Sequence, residues 1–220
     1  MCYVIVTLRS LLWTLLTLVA TLAVLSAVLT PKWLIGPPRL KPSAENTSEL
    51  FSPTVGIYTR CTWMSGRQHC GPFNLHGLGT DSVVFPPCWK AAMVFLCLGL
   101  AIMTLTVLAA VLSCCFQSVF RKSIFTTSGA AQVVAGIFYI LGLVLYPAGW
   151  GSYRVQKLCG HDAAPFFPAD CTLGWAFYSG VGGVALTFVC AVLSMQAEVA
   201  TSSDKVQYQI HQGRSLICLW

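Results

Sequence analysis

Four stretches without one charged side chain constrain this chain more than any other feature. They run over 11–29, 91–112, 130–146 and 173–195, and none contains Asp, Glu, Lys or Arg. A helix needs about 20 largely apolar residues, at about 1.5 Å rise each, to cross a hydrocarbon core of about 30 Å. Inside lipid every backbone polar group must bond within its own segment, so each stretch is predicted to be a transmembrane helix. Barrel strands would be shorter and would alternate polar with apolar residues, and these do not. Composition points the same way. Hydrophobic residues make up 56% of the 220 and charged residues 9%, against about a quarter charged in a soluble domain. A soluble fold could not hide that much apolar surface. The net charge of +6 is too thinly spread for the clustered basic face of a nucleic-acid binder. The chain therefore reads as one all-α membrane domain spanning 1–220.

The first stretch could be a signal peptide, since Arg9 precedes it. Its apolar run exceeds the usual core of about 7–15 residues, and no small-x-small cleavage site closes it. An uncleaved helix is the expectation. Four spans leave two large loops, 30–90 and 147–172, on one side. Both termini, with the tail 196–220, lie on the other. Arg121 and Lys122, in a short connection without an acid, place the terminal side in the cytoplasm by the positive-inside tendency. Asn46-Thr47-Ser48 is a glycosylation acceptor, which works only on the lumenal side. Cys61, Cys70, Cys88, Cys159 and Cys171 fall in or beside the two large loops, a usage that suits an oxidising compartment. The expected location is the plasma membrane, with cytoplasmic termini and extracellular loops.

Val55–Trp63 is β-branched and aromatic and reads as one strand, and Cys70-Gly71-Pro72 reads as a closing turn. Cys61 and Cys70 enclose eight residues, and Cys159 and Cys171 enclose eleven. Such short separations favour pairing within each loop, although four cysteines permit three pairings. Trp13, Trp33, Trp89, Trp150 and Trp175 fit interfacial anchors. Tyr146-Pro147 should end the third span, because proline cannot continue the hydrogen-bond ladder. Ala176 and Gly180, four apart, together with Gly183 mark a face on which helices can approach closely.

No catalytic constellation stands out and no cofactor is implied. Buried acids or bases, the mark of pumps and proton-coupled carriers, are absent from the spans. Gln132 is the chief polar side chain within a span and should bond across helices. A membrane thiol oxidoreductase would need Cys-x-x-Cys, which this chain lacks. The adjacent Cys114-Cys115 and the near-terminal Cys218 suit S-palmitoylation. His69, Cys70, His76 and His161 fall short of a convincing metal site, since tetrahedral ligation needs about four converging donors. The apolar terminus Ile217–Trp220 could add as a strand to a PDZ-type groove. Tyr58, Arg60 and Trp63 are candidate partner contacts by type and expected exposure.

Gly56-Ile57-Tyr58-Thr59-Arg60-Cys61, followed after eight residues by Cys70, resembles the claudin-superfamily signature Gly-Leu-Trp-x-x-Cys-x8–10-Cys, with Tyr58 in place of the claudin tryptophan and Trp33 as the aromatic after the first helix. Leu141–Trp150 and Asp170–Tyr178 are more specific. They resemble the lipoma HMGIC fusion partner-like tetraspan family, and the tail Gln196–Gln207 with the ending Leu216–Leu219 narrows the resemblance within it. The likeness covers nearly the whole chain and is weakest over 37–54 and 64–88. It implies a claudin-like bundle of four transmembrane helices capped by a small extracellular β-sheet, with the pairings Cys61–Cys70 and Cys159–Cys171. It also implies a non-enzymatic auxiliary or organising subunit of other integral membrane proteins; family settings include sensory, synaptic and reproductive-tract development. A claudin-like junction component, polymerising as a homo-oligomer, is the alternative.

Overall fold

The computed structural model describes residues 4–42, 48–73, 86–112, 118–119, 122–203, 206, 208, 212 and 216–219. Among these, four helices are long and apolar enough to cross a membrane: α1 (Leu8–Leu29), α2 (Pro87–Leu112), α3 (Ile124–Ala148) and α5 (Trp175–Thr201). Each differs by a few residues from the apolar stretch that announces it. At the start of α1, Thr7 and Ser10 cap each other: the Ser10 N–H donates to Thr7 Oγ1 at 3.2 Å, and the Thr7 N–H donates to Ser10 Oγ at 3.0 Å. This satisfies two donors that a helix start leaves open. Pro87 opens α2, where its missing N–H costs nothing. Proline does not end the third span as expected. Pro147 lies within the last turn of α3, and the chain tightens only afterwards into the 3₁₀ turn Gly149–Gly151. A proline removes only its own donor, so the final residues of a packed helix tolerate it there.

The remaining elements are short. Strands β1 (Val4–Thr7) and β11 (Leu216–Leu219) pair in parallel, so the stretch that could offer itself to a PDZ-type groove pairs here with the chain's own beginning. Between α1 and α2 lie β2 (Leu34–Ile35), β3 (Arg39–Pro42), β4 (Ser48–Phe51), β5 (Thr54–Val55), β6 (Thr59–Met64) and β7 (Arg67–Pro72). Between α2 and α3, β8 (Ser118–Val119) pairs with β9 (Lys122–Ser123). The second large loop holds α4 (Tyr153–Cys159) and β10 (Thr172–Leu173). The antiparallel five-stranded sheet has the order β10-β2-β5-β6-β7, and β3 and β4 form a separate hairpin.

The single strand expected over Val55–Trp63 is two strands. The chain reverses at Gly56–Tyr58, where the Gly56 N–H donates to the Thr59 carbonyl at 2.8 Å. A side chain at Gly56 would lie 2.5 Å from the Thr30 carbonyl oxygen, so only glycine lets the turn sit against the end of α1. Cys70-Gly71-Pro72 is likewise strand, not turn. It finishes β7 at the sheet edge, where a proline costs no ladder bond. The reversal between β6 and β7 falls at Ser65 and Gly66, both with positive φ (51° and 75°), as a two-residue primed hairpin turn requires.

Contacts divide the chain into two compact units. One comprises 1–22, 98–138 and 182–220. Its centre is Trp13, fully buried, edge-on to Phe125 at 5.3 Å and packed with Ala110, Cys190 and Ala197. Gln132, also fully buried, joins two helices: Trp13 Nε1 donates to its Oε1 at 3.4 Å, and its Nε2 donates to Thr17 Oγ1 at 3.0 Å. Thr126 Oγ1 donates to Glu198 Oε2, tying α3 to α5. Leu15, Leu18, Val134, Val189 and Val192 remain exposed; their apolar surface suits a lipid solvent.

The other unit comprises 23–97 and 139–181. It centres on Tyr146, which stacks on Trp89 at 5.2 Å and meets Trp33 edge-on at 4.9 Å and Trp150 at 6.1 Å. The polar tips of Trp33, Trp89 and Tyr146 are bonded to backbone, while the buried Trp150 Nε1 has no hydrogen-bond partner among the described residues. Trp33 Nε1 donates to the Ala27 carbonyl (2.6 Å), Trp89 Nε1 to the Tyr146 carbonyl (3.0 Å), and Tyr146 Oη to the Val55 carbonyl (3.2 Å). The anchoring belt expected from the tryptophans is thus corrected. Trp13, Trp33, Trp89 and Trp150 are core residues, and of the five only Trp175 is exposed, at 51%. A buried indole is stable once its N–H finds an acceptor, as those of Trp13, Trp33 and Trp89 do.

Candidate partner-facing groove

The second unit carries a groove of about 440 Å³ built from both large loops. Its fastening starts with cysteine. Cys61 and Cys70 are register partners in the β6–β7 ladder and form a disulfide, with Cα atoms 4.1 Å apart. Cys159, at the end of α4, forms the second with Cys171, just ahead of β10. Strand β10 then pairs with β2, so the second loop supplies an edge of a sheet otherwise made by the first. Arg39 adds a polar tie: its guanidinium donates to the Leu158 carbonyl at 3.2 Å. The last carbonyls of a helix lack intrahelical partners and attract a cation.

The floor is apolar, formed by Phe51, Pro53, Val55 and Leu158. Phe51 and Val55 are buried. The walls are basic. Arg39 and Lys41 come from β3 and Arg60 from β6, and α4 contributes Arg154 and Lys157. On α4, Tyr153, Arg154, Lys157 and Leu158 fall at i, i+1, i+4 and i+5, which is one helix face. Val155 and Cys159 are buried. Trp63 closes one end, with its Nε1 donating to the Pro42 carbonyl at 3.0 Å and its ring 5.3 Å from that of Phe51. Arg60 and Arg154 both lie over the buried Phe73 ring, at 5.7 and 4.8 Å from its centroid, a cation–π arrangement that places the two charges together. The described lining carries five cationic side chains and no carboxylate. Outside it, Glu49 is the register partner of Lys41 across the β3–β4 hairpin.

Two of the three contact residues expected from sequence, Arg60 and Trp63, line this groove. Tyr58 does not; it sits half-buried in the Gly56–Thr59 reversal, its carbonyl accepting from the Phe73 N–H at 3.0 Å. Arg39, Lys41, Arg154 and Lys157 stand in the sequence only as loop charges. Basic residues at 154 and 157 hint at a helix face, but nothing local ties them to β3. Ala176, Gly180 and Gly183 are buried within α5. A side chain on Gly180 would meet Leu143, Trp33 and Ala27 at 3.5–3.8 Å, so at this glycine α5 lies close to α1 and α3. His69 is exposed on β7, and no group of three or more metal-ligating side chains gathers among the described residues. Asn46, His76, Cys114 and Cys115 lie outside the described residues, as does the side chain of Cys218.

Comparison with known proteins places these features in a family. The family model described as lipoma HMGIC fusion partner-like protein matches residues 9–196. The chain is 47% identical to human LHFPL tetraspan subfamily member 2 protein and 46% identical to zebrafish (Danio rerio) LHFPL tetraspan subfamily member 2a protein, over the full length of both partners in each case. It is 24% identical to chicken (Gallus gallus) LHFPL tetraspan subfamily member 5 protein, over 88% of this chain and 83% of that one.

Proposed function

The chain belongs to the lipoma HMGIC fusion partner-like family of multi-pass tetraspan membrane proteins, and on that premise we propose that it is a non-enzymatic auxiliary or organising subunit of a larger membrane complex. It works at the plasma membrane with both termini cytoplasmic. Its helices meet a larger integral membrane protein laterally, and its loop-side sheet meets that partner's ectodomain. The observation that carries this reading is the fastening of the loop side. Two disulfides, a shared sheet and the Tyr146 aromatic hub hold an exposed basic groove on a rigid base. Preorganisation of that kind lowers the entropic cost of docking. Disulfides in both large loops also suit an oxidising side, which supports extracellular loops.

Crosslinking mass spectrometry on native membranes tests the reading, followed by purification in mild detergent. The expected result is one larger membrane protein recovered in stable ratio, crosslinked through residues of the loops 30–90 and 147–172. A lone monomer from every expressing tissue would overturn it. So would a terminal tag that antibodies reach on unpermeabilised cells.

A further inference from the structure

We infer that the groove between β3, β6 and α4 is a receptor for an acidic, apolar-studded peptide segment of the partner's ectodomain. The inference rests on the subunit reading above and names what the partner presents. Charge is the first argument. Arg39, Lys41, Arg60 and Lys157 reach the same cleft from three separate elements. Like charges gathered in one place repel, and a carboxylate-bearing ligand relieves that repulsion while pairing with several donors at once. Arg39 keeps its place by bonding a carbonyl rather than a carboxylate, so its positive charge stays available to a ligand.

The floor supplies the second argument. Phe51, Pro53, Val55 and Leu158 offer a concave apolar strip between the basic walls. An extended peptide points alternate side chains to opposite sides, so acidic residues can meet the walls while an apolar residue fills the floor. A sulfated oligosaccharide fits less well. Its many hydroxyl groups donate as well as accept, and the described lining offers few side-chain acceptors: the hydroxyls of Thr62 and Tyr153, with no carboxylate or amide among the described residues. An acidic peptide needs donors, and the charged groups of these walls are donors only.

The test uses the full-length protein in nanodiscs and a fluorescent short peptide alternating glutamate with leucine or phenylalanine. Fluorescence anisotropy reports binding. The same peptide with glutamine for glutamate controls for apolar adhesion to lipid, and a heparin-derived oligosaccharide competes. Saturable binding that weakens as salt rises is expected. The double variant Lys41→Gln/Lys157→Glu, on exposed or half-exposed positions, should weaken it by about tenfold or more with an unchanged melting profile; glutamine at 41 avoids setting a like charge opposite Glu49. Arg39→Gln, which keeps a donor for Leu158, should weaken it less. Equal binding of the glutamine peptide, indifference to the double substitution, or oligosaccharide binding tighter than the peptide's would each overturn the inference. Partner recovery separates the two readings. A partner captured by both wild type and double variant sinks the groove assignment and leaves the subunit reading standing. Saturable, charge-dependent peptide binding with no partner in any membrane does the reverse.

Discussion

The two compact units are held by different physics. The unit made of 23–97 and 139–181 has two covalent crosslinks, a five-stranded sheet and aromatic rings whose polar tips bond backbone at Trp33, Trp89 and Tyr146. The unit made of 1–22, 98–138 and 182–220 relies on helix packing around Trp13 and on one buried amide, Gln132. The difference follows from solvent. Loop backbone outside lipid competes with water and needs crosslinks and ladders to hold one geometry. Helices in lipid have already satisfied their backbone, so a few shape and polar contacts suffice to choose partners. Recognition should therefore concentrate where the chain is most heavily fastened.

Perturbations that fall on one unit and spare the other can break this contrast. Trp33→Ala should act most strongly, at about 3–5 kcal/mol. It empties the hub beneath the sheet, and hydrogen exchange should rise over β2, β5 and β6 before it rises near Gln132. Equal exchange in both units would mean they share one cooperative core. Removing the first crosslink by Cys61→Ser with Cys70→Ser should cost about 2–3 kcal/mol, read as a lower thermal midpoint that a reductant no longer shifts further through this pair. Gln132→Leu should cost about 0.5–2 kcal/mol; it leaves the Trp13 N–H without its acceptor and Thr17 Oγ1 without its donor, with the loop-side exchange pattern intact. Lys157→Glu should move stability least, within about 0.5 kcal/mol, while reducing recovery of the partner. A large stability loss there would recast the basic wall as structural.

The spans are legible in the sequence because hydrocarbon tolerates so little: an uncharged run long enough to cross has scarcely any stable home except lipid. Cysteine spacing is legible only in part: short separations favour pairing within each loop but leave three pairings open, and the resemblance, not the spacing, implies the two that form. Orientation within an element is harder. Hydropathy does not say which way a tryptophan faces, and Trp33 and Trp89 find acceptors inside rather than headgroups outside. The Val55–Trp63 run hides its reversal because one glycine, Gly56, outweighs the β-propensity around it through a contact with Thr30 that no local pattern encodes. The groove is the least legible feature. Arg39 and the Leu158 carbonyl it bonds stand 119 residues apart, and only the fold makes them neighbours.

The pairing of β10 with β2 has a consequence for biosynthesis. The sheet's outermost strand on that side is Thr172–Leu173, reached only after three spans have been made, so the ribosome must deliver most of the protein before that edge is covered. Until then that edge of β2 exposes unpaired backbone. A message truncated anywhere upstream of codon 172 would yield a product marked by that open edge, giving quality control a plain criterion for completeness.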